Sequence, residues 1–145
     1  MAIIEGYHMP DELYYHKEHT WVRVEGGNSV RVGMNDFFQR EAGSVVAIDL
    51  PDEDDEFSQG ETCGKIQTGK WIQKVLSPLS GRVVEVNRAL EDESTLLNED
   101  PYGKGWIFLL EATNLEGELP TLLQGEALVA WLKGEIKRAE EHKKK

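Results

Sequence analysis

Short stretches in which apolar and polar residues alternate dominate much of the chain. Alternation with a period of two is typical of strands that bury one face. Residues 20–24 and 29–32 show it on both sides of the turn-forming residues 25–28, which predicts a β-hairpin. Further apolar or alternating stretches predict strands at 44–50, 82–87 and 106–110.

A second hairpin is predicted around Gly69-Lys70, with strand-like residues on each side. Glycine allows the positive φ that tight turns need, and the side chain beside it is then exposed to solvent. Exposed lysines on hairpins are common in β-domains. The spacing alone therefore gives Lys70 no special role.

Helical signals are short until the end of the chain. Asn35 is a plausible N-cap for a helix over 36–42, and Gly43 would end it. Residues 90–98 form an acidic, partly helical connection, and residues 121–138 change to the helical period of an amphipathic helix. Many short strands followed by one terminal helix predict a mainly β sandwich or barrel with a C-terminal α-helix.

The chain is divided into three parts by composition and pattern. Residues 1–13 form an irregular N-terminal arm, residues 14–132 the domain, and residues 133–145 a charged helix end or tail. A chain of 145 residues is long enough for one domain with its own core.

The net charge of −11 is unevenly distributed. Residues 133–145 hold six Lys/Arg and three Glu, so the other 132 residues carry 10 basic and 24 acidic side chains. A body this acidic repels phosphate backbones, and no nucleic-acid partner is expected. No apolar run approaches the length of a membrane span, and the start of the chain lacks the features of a signal peptide. The single cysteine, Cys63, rules out an internal disulfide and fits a cytoplasmic location.

No catalytic arrangement is visible in the sequence. A nucleophile–base pair at diagnostic spacing, a P-loop, an H-E-x-x-H motif and a dinucleotide-binding loop are all missing. His16, Glu18 and His19 could be considered as metal ligands, but no further Cys or His lies nearby, so no metal site is predicted. The protein is therefore expected not to be an enzyme. A lysine on a hairpin tip suits covalent modification, which is what a carrier protein requires.

Several separated stretches occur in the order found in one known family. They are H-K-E-H-T-W-V-R-V-E-G at 16–26, V-G-M-N-D-F at 32–37, G-S-V-V-A-I-D-L-P at 43–51, S-P-L-S-G at 77–81 with V-V-E-V-N at 83–87, and L-N-E-D-P-Y-G-K-G-W at 97–106. Together they resemble the H-protein of the glycine cleavage system, a lipoyl carrier, over about residues 14–131. The resemblance implies a lipoyl-type barrel-sandwich hybrid with short helices and a C-terminal α-helix.

The resemblance also implies the position of the cofactor. In the family the lipoylated lysine lies eleven residues before the glycine of its "P-V-S-G" motif, and eleven residues before Gly81 is Lys70. Lys70 is thus the predicted site of lipoate, bound as an amide, in preference to Lys65 or Lys74. A lipoate ligase or lipoyltransferase would attach it. The implied partners are glycine decarboxylase, which loads an aminomethyl group, the aminomethyltransferase that receives it, and dihydrolipoyl dehydrogenase.

Two departures from the family pattern leave the cargo open. Thr20 replaces the glutamate of the family's "H-E-W", and Gln67 replaces the glutamate of its "E-S-V-K". Carboxylates there would favour a protonated aminomethyl cargo, and an amide and a hydroxyl do so less well. The alternative is an H-protein-like carrier of sulfur intermediates for a heterodisulfide-reductase-like complex. Thr20, Gln67, Cys63 and His19 are the candidate surroundings of the arm, although Cys63 also fits a buried small hydrophobe.

Two further alternatives concern the attachment itself. The flanks of Lys70, Thr68-Gly69 and Trp71, differ from the usual family sequence, so a non-lipoylated binding module of the same fold remains an alternative. Attachment of biotin to the same fold is a weaker one, because the methionines that usually flank a biotinyl lysine are missing.

Overall fold

Antiparallel strands form the sheets of the structure, a computed structural model that describes residues 3–143 and side chains up to residue 141. The strands are β1 (Ile3–Ile4), β2 (Tyr7–His8), β3 (Tyr14–Tyr15), β4 (Thr20–Gly26), β5 (Ser29–Met34), β6 (Val45–Asp49), β7 (Glu56–Phe57), β8 (Thr62–Thr68), β9 (Ile72–Leu76), β10 (Gly81–Val86) and β11 (Phe108–Ala112). The helices are α1 (Asp36–Ala42), α2 (Ala89–Asp92), α3 (Leu96–Glu99), α4 (Leu115–Glu118) and α5 (Gly125–Lys143), with a 3-10 turn at Leu119–Thr121.

Two sheets form the body of the domain. One has six strands in the order β3-β4-β5-β11-β10-β7, and the other has three in the order β6-β8-β9. The hairpins predicted at 20–32 and around Lys70 are confirmed as β4–β5 and β8–β9. The predicted fold class is confirmed as well, since β-sheets dominate, the helices before residue 125 are short, and a long helix ends the chain.

The main core lies between these two sheets. The inward-facing side chains of β4, β5, β10 and β11 meet those of β8 and β9, as the alternation in the sequence predicts. The buried apolar residues at the centre include Val22, Val32, Leu110, Ile66 and Val75.

A second core joins α5 to the six-stranded sheet. Trp21, on the opposite face of β4 from Val22, packs with Tyr15, Phe37, Leu128 and Leu132, all of which are buried. This packing fixes the course of α5, and the later turns of the helix then pass beside α1. Ile136 and Ala139 also contact this cluster.

Three expectations from the sequence are corrected in detail. Residues 3–8, predicted to be irregular, form a small β1–β2 hairpin, and the last strand covers Phe108–Ala112 instead of 106–110. The terminal helix begins at Gly125 instead of residue 121, because Leu123 bonds through its backbone N–H and C=O to Tyr15 and holds the chain extended. Gly125, with a φ of 57°, is the first residue of the helix.

The predicted domain limits can be compared with the elements at the two ends of the chain. The boundary predicted between residues 132 and 133 lies inside α5. Residues 1–2 of the predicted arm and residues 144–145 of the predicted tail lie outside the described residues. No helix in residues 3–143 combines the length and the apolar character needed to cross a membrane.

Candidate functional site

The turn between β8 and β9 is held by Thr68. Its backbone N–H donates to Trp71 O at 3.0 Å, and its Oγ1 accepts the backbone N–H groups of Lys70 and Trp71, each at 3.2 Å. Gly69 does not adopt a positive φ, so the turn chemistry expected from the sequence is wrong. A threonine side chain that bonds the backbone ahead of it provides the turn instead.

Lys70 is exposed, and its side chain lies across the end of α1. Its Nζ donates to the carbonyl oxygen of Glu41, in the last turn of the helix, at 3.0 Å. Lysine suits this position, because the last carbonyls of a helix lack intrahelical partners and carry partial negative charge. The amine is therefore accessible and directed toward α1.

Both ends of α1 are fixed by local sequence. Asn35 caps the start, as predicted, since its Oδ1 accepts the N–H of Phe38 at 2.8 Å. Gly43, with φ of 77°, ends the helix, also as predicted. The helix thus begins and ends where its own residues require.

The stretch 97–106, which begins in α3 and continues as a loop, contacts the same helix from outside. The Tyr102 hydroxyl accepts the N–H of Asp36 at 2.8 Å and donates to His8 O at 2.6 Å. At the other end, Asn98 donates through Nδ2 to Gly43 O at 2.8 Å. The stretch 97–106, one of those that carry the family resemblance, therefore holds α1 at both ends.

A cleft of about 330 Å³ lies beside Lys70. Three elements line it: α1, the start of β9 and the second half of α5, with His19 at the junction before β4. Its wall combines aromatic rings with a few polar groups, namely Phe37, Phe38, Trp71, Ala139, His19, Glu41, Gln73, Glu135 and Arg138. Pockets of this composition suit a largely apolar ligand that carries a polar end.

His19 and Glu135 form a hydrogen-bonded pair in the cleft. Nε2 of His19 lies 3.1 Å from Oε1 of Glu135, and the two side chains are 13% and 15% exposed. Because Asn35 uses Oδ1 for the helix cap, its Nδ2 faces Nδ1 of His19 at 3.4 Å. His19 therefore contacts Asn35 through Nδ1 and Glu135 through Nε2, so that it links the start of α1 to α5.

Glu135 is stabilised as a carboxylate. The hydrogen bond from His19 lowers its pKa, helped by the charges of His19 and Arg138, while burial acts in the opposite direction. Arg138 contributes through Nη1, which lies 2.7 Å from Oε2 of Glu135. On the cleft side of α5, Glu135 is therefore a carboxylate that is paired with Arg138 of the same helix.

Of the four side chains predicted to surround the arm, only His19 lines this cleft. Thr20 is fully buried, and its Oγ1 has no hydrogen-bond partner in the described part of the chain. Gln67 is exposed on the outer face of β8, opposite Ala47 and Ile72. Cys63 lies in the main core, where burial raises the pKa of its thiol to about 12 and Sγ bonds to Val75 O.

Other side chains in the cleft were not predicted from the sequence. Trp71 and Gln73 lie two residues apart on the outgoing side of the hairpin, a spacing that places both on one face. Glu41 could have been found from its place in the last turn of the predicted helix. No signal pointed to Glu135 and Arg138, because residues 133–145 are predicted only to be a charged helix end or tail.

Comparisons with known proteins agree with one another. The sequence model of the family described as "Glycine cleavage H-protein" matches residues 13–135. A "Probable glycine cleavage system H protein" of Thermococcus kodakarensis is 42% identical over 133 residues, which cover 92% of this chain and 98% of that protein. A "Glycine cleavage system H protein" of Staphylococcus haemolyticus is 42% identical over 118 residues, covering 81% and 92%. The crystal structure of a glycine cleavage system H protein from Mycobacterium marinum superposes with a TM-score of 0.75 at 29% identity, covering 87% of this chain and 99% of that chain.

Proposed function

The chain belongs to the glycine cleavage H-protein family, and from that premise we propose that it is a lipoyl carrier with lipoate bound as an amide to Lys70. The observation that carries the proposal is the position of Lys70: on an exposed hairpin tip, with Nζ at the edge of an aromatic-lined cleft. A carrier needs an accessible amine and a stable body behind it. The chain is accordingly proposed to be a carrier subunit and not an enzyme.

The neighbouring lysines are less suited to this role. Lys65 and Lys74 lie within β8 and β9, directly opposite each other, and both are exposed on the sheet. An arm attached to either one would begin along the strands instead of at the turn. Neither side chain lines the cleft.

The residues of the cleft fit a lipoyl arm. When attached, lipoate supplies a dithiol–disulfide couple whose sulfur atoms accept and release the cargo. The rings of Phe37, Phe38 and Trp71 offer an apolar wall to the hydrocarbon and sulfur atoms, since sulfur contacts aromatic rings favourably. Gln73 adds an amide to the same wall, where its Oε1 accepts the indole N–H of Trp71 at 3.1 Å.

Membership of the family supports an aminomethyl cargo. In this proposal the arm on Lys70 is loaded at glycine decarboxylase, delivers to the aminomethyltransferase and is reoxidised by dihydrolipoyl dehydrogenase. The alternative cargo, a sulfur intermediate for a heterodisulfide-reductase-like complex, is favoured only by the loss of acidic side chains at Thr20 and Gln67. A lipoate ligase or lipoyltransferase would be required in either case.

The attachment site is tested by intact-mass measurement after expression with lipoate and a lipoate ligase. We expect one lipoyl addition on the wild-type chain and none on Lys70→Arg. Lys65→Arg and Lys74→Arg are matched controls and should be modified like the wild type. An unmodified wild-type chain would instead support the binding-module alternative, and a biotin mass would support the biotinyl one.

The cargo is tested by reconstitution with the glycine decarboxylase partner. Carbon dioxide should be released from glycine in proportion to the lipoylated chain and should not exceed background with Lys70→Arg. If the lipoylated chain supports no glycine-dependent release, the aminomethyl assignment is wrong and the sulfur-carrier alternative takes its place.

A further inference from the structure

The three-stranded sheet β6-β8-β9 turns one face away from the core. Side chains that are partners in its ladder point to the same side and form rows across the strands. The outward rows are Ala47, Gln67 and Ile72 beside the turn, then Asp49, Lys65 and Lys74 behind them. All six side chains are exposed. We name this surface, with Val46 at its edge, the outer face.

Apolar side chains are exposed in the part of the outer face beside the turn. Val46 and Ile72 are 61% and 65% exposed. The register between β6 and β8 shifts between Val45 and Ala47, so Val46 is the extra residue of a bulge in an edge strand. Edge strands are normally protected by charged side chains, and neighbouring exposed apolar groups are typical of a contact surface.

Two lysines lie directly opposite each other in the row behind. Lys65 and Lys74 are cross-strand neighbours, and like charges in this position oppose folding. Asp49 lies opposite Lys65 on its other side, yet no ion pair joins either lysine to a carboxylate among residues 3–141. Two lysines and one aspartate give the outer face a net charge of +1, on a chain whose net charge is −11. Carboxylates of a partner would offset the repulsion.

We propose that the outer face docks the enzyme that acylates Lys70, through an apolar patch of that enzyme that is flanked by carboxylates. Contact between apolar groups with charged groups at the margin is the ordinary anatomy of a protein interface. The inference rests on the proposed carrier function and deepens it, because it names the surface that the attaching enzyme recognises.

The position of Lys70 favours this partner over others. An enzyme that acylates Nζ has to bring its own groups to the turn, whereas an enzyme that acts on the far end of an attached arm does not. Helices α1 and α5 stand on the opposite side of the hairpin, where they line the cleft, and they obstruct approach from there. A second copy of the chain is disfavoured, because face-to-face docking would bring two positively charged surfaces together.

The test measures the kinetics of lipoylation. The full chain is incubated with lipoate, ATP and the lipoate ligase of the attachment experiment, and intact mass follows the modified fraction with time. Varying the concentration of the chain separates KM from kcat. Loss of a docking contact that is equally present before and during the reaction raises KM and leaves kcat unchanged.

Reversal of one charge on the outer face should weaken docking without weakening the fold. In Lys74→Glu we expect KM to rise about fivefold at unchanged kcat, the size expected for one partly exposed charge pair. Glutamate opposite Lys65 replaces a repulsive pair with an attractive one, so the free energy of unfolding should not fall. Lys74→Arg keeps the charge and should keep the wild-type KM. Added salt should raise KM more in the wild type than in Lys74→Glu.

The apolar row is tested with Ile72→Thr. Threonine is β-branched and suits a strand, but it offers less apolar surface, so KM should rise about fivefold. Val84→Thr, at an exposed valine of β10, and Lys104→Glu, at an exposed lysine outside the outer face, are the matched controls. They make similar changes elsewhere on the surface and should keep the wild-type KM.

The outcomes distinguish docking from the carrier function. An unchanged KM in Lys74→Glu or in Ile72→Thr, or an equal rise in the matched controls, would overturn the docking surface, while lipoate on Lys70 would leave the carrier function standing. Self-association of the wild type that Ile72→Thr abolishes would assign the outer face to a second copy and would also overturn the proposal. A wild-type chain that takes up no lipoate would overturn the carrier function and this inference together.

Discussion

Glycine is required at position 33 for a reason that does not apply at position 69. A Cβ at residue 33 would lie 2.7 Å from the ring of Trp21, a fully buried side chain. A Cβ at residue 69 would meet nothing within 4 Å, and φ there is not positive. Only the first glycine is therefore demanded by the structure.

The two alanine variants should differ accordingly. Gly33→Ala should lower the free energy of unfolding by roughly 1–3 kcal/mol, because the added methyl overpacks the Trp21 site. Gly69→Ala should leave the free energy of unfolding unchanged or raise it by up to about 1 kcal/mol, because alanine lowers the conformational entropy of the unfolded chain. Urea unfolding measures both. A clear loss of stability in Gly69→Ala would contradict the turn geometry described here.

Some residues of the candidate site could be predicted from the sequence, and others could not. The family resemblance selects Lys70 among three lysines of one hairpin through its distance from Gly81 along the chain, and this assignment stays a prediction. The surroundings of the arm were harder to predict. Gln67 faces outward because it alternates with the buried Ile66 and Thr68, whereas Thr20 is fully buried.

At the scale of elements, local signals predicted α1 well. Asn35, the bounds 36–42 and Gly43 all came from capping rules that involve neighbours in sequence. The course of α5 could not be predicted in this way. It depends on packing against Trp21 and on the Tyr15–Leu123 bridge, so Glu135 reaches the cleft through contacts with residues far away in sequence.

Asn98 connects α1 to the rest of the domain. Its Nδ2 donates to Gly43 O, and its Oδ1 accepts the N–H of Val45 at 2.9 Å, so it joins the end of α1 to the start of β6. Asn98→Ala would leave these partly buried backbone groups without their partner. We expect a loss of about 2–3 kcal/mol of unfolding free energy.

Denaturant unfolding measures this effect. Asn114→Ala is the matched control, because Asn114 is exposed and its side chain does not cap the helix that follows. A change within about 0.5 kcal/mol is expected for the control, as for most surface substitutions. Equal effects of the two variants would show that Asn98 does not hold α1.

At the scale of the whole molecule, stability should fall in acid in two separate ranges. Burial lowers the pKa of His16 from its ordinary value of 6.5, so the unfolded chain binds its proton first as the pH falls. Stability should then decrease from about pH 6.5 downward, until the folded state also binds the proton. The pKa of Glu135 lies below its ordinary value of 4.5, so its contribution is present above that pH and is lost below it.

The two ranges can be assigned with single variants. The free energy of unfolding is measured from pH 7 to pH 3 for the wild type, His16→Gln and Glu135→Gln. His16→Gln should flatten the upper range only, and Glu135→Gln the lower range only. A profile with the same slope for all three proteins would contradict both shifts.

The hold of Asn98 and Tyr102 on α1 has a consequence for the entropy of docking. Because α1 is hydrogen-bonded at both ends before an arm docks, the helix does not have to be ordered on docking. Only the conformational entropy of the arm itself is then lost. Weak contacts are then sufficient to hold a long flexible chain, and they leave it free to depart. The stretch 97–106, which contains Asn98 and Tyr102, would thus keep the cleft preorganised for an arm that must bind and leave repeatedly.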